Sequence, residues 1–85
     1  RELALEQRRA AIEAALRAKL PVQHLTLDGD GRHFELLIVS EAFNTLSRVR
    51  RHQAVYAALG DAMRDELVHA LTMQTLTPEE WANRG

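Results

Sequence analysis

The chain has 85 residues, 46% of them hydrophobic and 27% charged, proportions that fit one ordinary soluble globular domain spanning 1–85. Eleven Lys and Arg against twelve Asp and Glu leave a formal net charge of −1, which gives no support to indiscriminate binding of nucleic acid or anionic membrane. The absence of cysteine excludes disulfides, a thiolate nucleophile and any self-contained cysteine-based zinc or iron–sulfur site.

The first twenty residues, RELALEQRRAAIEAALRAKL, are rich in strong helix formers, and Leu5, Ile12, Leu16 and Leu20 recur at helical spacing. Pro21 ends this helix, because the residue before a proline is pushed out of the α region. VQHLTL then predicts a strand, with Val22, His24 and Thr26 on one face and Gln23, Leu25 and Leu27 on the other. Asp28 to Gly31, reading DGDG, predicts a hairpin turn. HFELLIVS is the return strand, apolar enough on both faces to be central.

After Ser40 the period becomes helical. Val49, His52, Tyr56 and Leu59 form the expected inner stripe of a helix capped by Ser47. Gly60 interrupts it, and Asp61 is the expected cap of a second short helix with Met63 and Leu67 facing inward. VHALTMQTL returns to alternation, so a strand is expected from Val68. Thr77, Pro78 and Glu80 carry the signature of a capping box with proline at the first helical position, and Trp81 is left to dock. The resulting order, helix-strand-strand-helix-helix-strand-helix, predicts a two-layer α+β domain with three strands. No apolar run approaches the ~20 residues of a membrane helix and no signal-peptide pattern is visible, so a cytoplasmic location is expected.

Several short motifs occur in a fixed order: HF at His33–Phe34, Phe43, RH at Arg51–His52, VY at Val55–Tyr56, HAL at His69–Leu71 and TPEEW at Thr77–Trp81. In that order and spacing the chain resembles the BolA family from about Gly29 to Trp81, and GDGRHF with LSRV most resembles its bacterial, IbaG-like branch. The resemblance implies a class II KH-like fold, α-β-β-α-α-β-α with a three-stranded mixed sheet. It implies no enzymatic activity but partnership with a monothiol glutaredoxin, which supplies a cysteine and a glutathione thiol to a shared [2Fe–2S] cluster.

Within that resemblance His69 is the expected imidazole ligand, either alone or together with His33. The chemistry suits a chain without cysteine, since neutral imidazole can replace sulfur on iron and alters the potential of the centre. The hairpin DGDGR holds no His or Cys, unlike family members that place a ligand there. A second departure is Thr45, where the family commonly has glycine; Asn44 is expected to take over part of the positive backbone angle. His52 is read as a packed core histidine.

Arg48, Arg50 and Arg51 gather on one early helical turn and form the candidate surface for nucleic acid or an acidic partner. A DNA- or RNA-binding regulator is therefore the competing class, although the GxxG loop of KH domains and RNP-type aromatics are both absent. A third reading is cluster-free contact with the partner. The free chain is expected to be a monomer or a weak homodimer. Serines without a glycine elbow and carboxylates without a recognisable dyad give catalysis no support.

Overall fold

Pro21 separates two elements that each bury one side, and their packing sets the layers of the fold. The structure, a computed structural model, describes residues 2–84; Arg1 and Gly85, the outer ends of the expected helix and domain, lie outside the described residues. Helix α1 covers Glu2–Lys19. Ile12 and Leu16 are buried and Leu5 and Leu20 pack against the same core, so the stripe read from the sequence is the inward one.

Strands β1 (Val22–Gly29) and β2 (Phe34–Ser40) pair antiparallel, and β3 (Leu71–Leu76) pairs parallel with β2, giving a mixed sheet of order β1-β2-β3. A parallel pair needs a crossover. Helices α2 (Arg48–Leu59) and α3 (Asp61–Leu67) supply it. Phe34, Leu36 and Ile38 alternate onto one face of β2 and meet Ile12, Leu16, Val55, Leu59 and Leu67, which makes α1, α2 and α3 one helical layer. Short helix α4 (Pro78–Ala82) lies against the opposite face, where Trp81 stacks on His24 with ring centroids 4.5 Å apart.

Five local expectations change. A register irregularity between Val22 and His24 shifts the alternation of β1. Val22 consequently packs toward the core with Leu25 and Leu27 rather than sharing a face with His24. On α2, Val49 is 66% exposed, and the buried residues are Val55 and Leu59. One helical turn before Val55 stands Arg51, whose side chain is only 14% exposed. Gly60, not Asp61, is the N-cap of α3, and no side chain caps it. Asn44 is right-handed helical at φ −56°, with no positive angle, because it closes a short 3-10 turn, Glu41–Phe43, opened by the Ser40 hydroxyl.

The fifth change matters most for function. Strand β3 begins at Leu71, and residues 68–70 form a turn, because Val68 still donates to Arg64 O and Ala70 to Leu67 O. Unlike Asp61, the other two caps read from the sequence hold: Ser47 accepts from Arg50 N at 3.3 Å, and Thr77 and Glu80 complete a capping box.

Thr75 is buried on β3, and its hydroxyl oxygen finds no hydrogen-bond partner among the described residues. An unsatisfied buried hydroxyl costs about 1–3 kcal/mol. Thr75→Val is therefore expected to raise stability by about 1 kcal/mol, read as a higher urea midpoint at unchanged slope.

Candidate functional site

The site begins with the hairpin between β1 and β2. Asp30 Oδ1 accepts from the amides of Arg32 at 2.9 Å and His33 at 3.0 Å, while Asp30 N donates to His33 O. The His33 amide, followed by that of Arg32, holds the Asp30 carboxyl below its ordinary range. Gly31 has φ +95°, which favours glycine, and a Cβ on Gly29 would stand 2.5 Å from His33 O. The turn is thus built around the backbone of His33.

β2 and β3 run parallel, so their starts emerge at the same end of the sheet. Phe34 is the register partner of Leu71, and its N–H donates to Ala70 O at 2.7 Å. His33 accordingly lies beside Ala70, with His69 one residue further along the turn. Both histidines are exposed, and the fold brings them to one end although the sequence holds them far apart. Phe34 enters the helix-side core, so His33 takes the opposite face, where its Nε2 lies 2.9 Å from Thr72 Oγ1.

Arg8 of α1 braces this end. Its Nη1 donates to Gly31 O at 3.0 Å and its Nη2 to Glu66 Oε1 at 3.3 Å, with the guanidinium 5.2 Å from the Phe34 ring centroid. One side chain thereby joins the loop before His33 to the helix before His69. Arg8 and Thr72 carry no local signal in the sequence, since both act only on partners distant in the chain. Asp30 was visible as a turn residue, but its bond to the His33 amide was not.

Asp30→Ala is expected to raise amide exchange at Arg32 and His33 several-fold while leaving the sheet core protected, as measured by hydrogen exchange. The pH sign follows from the depressed carboxyl. The turn's contribution is present above the unfolded-state value and is lost as pH falls through the lower folded-state value.

The remaining histidines and the arginines lie elsewhere. His24 is occupied by its stack on Trp81, whose other face carries the Arg84 guanidinium. His52, half-buried, lines a groove of about 300 Å³ with Arg48 and Met73 to Leu76 along the free edge of β3. Arg48 and Arg50 are exposed at the start of α2. The Arg51 guanidinium is committed to Leu46 O, Thr75 O and Glu80 Oε1, so the fold separates Arg51 from the other two.

Among the described residues, no group of three or more His, Asp or Glu side chains is arranged to hold a metal ion. The donor set at the strand end consists of two imidazoles without a thiolate. Imidazole is among the ligand types iron–sulfur centres accept, but two imidazoles are fewer than such a centre needs. Among the described residues no helix is long and apolar enough to cross a membrane.

Together these features define a small α+β domain, three helices on one face of a mixed sheet, with an exposed histidine pair at the shared end of its parallel strands. The chain belongs to the BolA family: the model described as "BolA-like protein" matches residues 5–80. It is 38% identical to the acid stress protein IbaG of Escherichia coli (strain K12) over 71 residues, 84% of each chain. It is also 38% identical over 58 residues to the DNA-binding transcriptional regulator BolA of Haemophilus influenzae, covering 68% of this chain and 55% of that protein. Among solved structures, the crystal structure of a Bol-like protein from Babesia bovis superposes with a TM-score of 0.73 at 33% identity, over 88% of this chain and 92% of that one. The names of the two relatives are those of a stress protein and a regulator, not of enzymes.

Proposed function

We propose that this protein is an adaptor that pairs with a monothiol glutaredoxin in the cytoplasm and shares a glutathione-ligated [2Fe–2S] cluster with it. The cluster is cargo to be moved or sensed in iron regulation. The observation that carries this reading is the exposed His33–His69 end of the sheet in a chain that has no thiolate of its own. His69 is the principal ligand and His33 the second, each offering a neutral imidazole. The partner's cysteine and glutathione complete the set. Arg8 and Asp30 contribute by holding the hairpin backbone before His33, and Arg8 also ties that hairpin to the Glu66 side chain of α3. Free of its partner, the chain is read as a monomer or weak homodimer.

The test is to mix the protein with a [2Fe–2S]-loaded monothiol glutaredoxin and record visible circular dichroism. A new cluster spectrum at one-to-one stoichiometry is the expected result; an unaltered glutaredoxin spectrum would remove the reading.

A second reading, DNA binding, draws on the exposed Arg48 beside the groove of α2 and β3 and on the regulator name of one relative. It predicts affinity that falls steeply with salt and with Arg48→Ala and Arg50→Ala. Cluster sharing predicts tolerance of both changes.

A further inference from the structure

The bond between His33 and Thr72 carries chemical information beyond the placement of a ligand. A neutral imidazole has one N–H and one nitrogen with a free lone pair. When the lone pair binds a metal, the other nitrogen must keep its proton, and that N–H is usually held by a fixed acceptor. His33 Nε2 lies 2.9 Å from Thr72 Oγ1. No hydrogen bond among the described residues engages Nδ1.

Thr72 is well suited to hold the ring. It lies on β3 opposite Glu35 of β2, so its backbone is fixed by the parallel register, and its branched side chain has few rotamers. A threonine hydroxyl can donate or accept. If it donated to Nε2, the proton would sit on Nδ1 and no lone pair would face outward. Only the accepting role, Nε2–H to Oγ1, leaves Nδ1 ready to bind and remains satisfied after binding.

We infer that Thr72 is a positioning residue that holds His33 as its Nε2–H tautomer and leaves Nδ1 as the nitrogen that binds iron. This inference rests on the cluster-sharing reading and deepens it by naming the atom. It also separates the roles of the two histidines, because His69 has no such partner among the described side chains.

The test uses protein with ¹⁵N-labelled histidine and no cluster, in long-range ¹H–¹⁵N spectra where the imidazole is neutral. His33 should show a proton-bearing Nε2 and an unprotonated Nδ1. Thr72→Val should move both shifts toward the average of exchanging tautomers, and Thr72→Ser should restore the wild-type pattern. A wild-type His33 protonated at Nδ1, or a Thr72→Val spectrum identical to wild type, overturns the inference.

The loaded mixed complex is then compared across variants. Thr72→Val should lose its cluster spectrum about tenfold faster than wild type, with Thr72→Ser close to wild type. A spectrum sensitive to His69→Ala but indifferent to His33→Ala overturns binding through Nδ1 and leaves the cluster reading standing. Indifference to both overturns the two together.

Discussion

His69→Ala is expected to abolish the mixed-cluster spectrum while leaving global stability within about 0.5 kcal/mol of wild type. The separation follows from where the residue sits. Its side chain is exposed in the turn before β3, and none of the hydrogen bonds that shape the turn is made by the imidazole. Ala70 makes the bond to Phe34 that sets the start of the parallel register, and Val68 closes α3. Alanine keeps the backbone groups on which both depend. Loss of signal in a fully folded variant would therefore report a lost ligand rather than a lost fold. His33→Ala should alter the spectrum without erasing it. Retention of the wild-type signal by His69→Ala would take that residue off the metal. Acid should weaken the mixed complex before it unfolds the domain, since a protonated imidazole has no lone pair to give.

The second large effect concerns stability. Arg51→Met is expected to cost about 2 kcal/mol, from two bonds to backbone carbonyls at roughly 1 kcal/mol each. The Arg51 side chain is only 14% exposed; its Nε donates to Leu46 O at 2.9 Å and its Nη1 to Thr75 O at 3.1 Å. Methionine fills much of the same volume but donates nothing, so the two carbonyls lose their partner. Nη1 also donates to Glu80 Oε1 at 2.8 Å, which ties α2 to the capping box of α4. A lower urea midpoint, with faster amide exchange in α4 than elsewhere, is the measurement; a midpoint equal to wild type would sink the clamp.

The same clamp has a pH sign. The Thr77 backbone amide, then Arg51, holds the Glu80 carboxyl below its ordinary range. A depressed carboxyl contributes stability above its unfolded-state value and loses it as pH falls through the folded-state value. Across that acidic window Arg51→Met should be less sensitive to pH than wild type. The clamp also decides how nucleic-acid binding can be tested. Arg48 and Arg50 can be changed on the surface, whereas a loss of binding in Arg51→Ala would report damage to the fold.

The candidate site was only half legible in the sequence. The HAL motif pointed to His69 through family resemblance, whereas HF, a common family feature, left His33 open as a second ligand. That both stand at one end of the sheet depends on β2 and β3 running parallel, a pairing made across the whole α2–α3 crossover. Arg51 appeared as one of three neighbouring basic residues, because charge patterning along a helix does not reveal which side chain turns inward. The apolar count placed Val49 on the inner stripe, whereas in the packed helix Val49 is exposed and the Arg51 side chain is mostly buried.

What the sequence by itself determined is the local grammar: α1 with its inward stripe, the break at Pro21, the hairpin glycines, the Ser47 cap and the Thr77–Glu80 capping box. Those features rest on backbone preferences and partners within about four residues, which a linear reading contains. The tertiary structure alone decided the register irregularity in β1, the rotation of α2, the late start of β3, and the holds of Arg8 on Gly31 and Thr72 on His33. Each is set by hydrogen bonds or packing between residues brought together only when the sheet closes against its helices, and no local periodicity encodes that geometry.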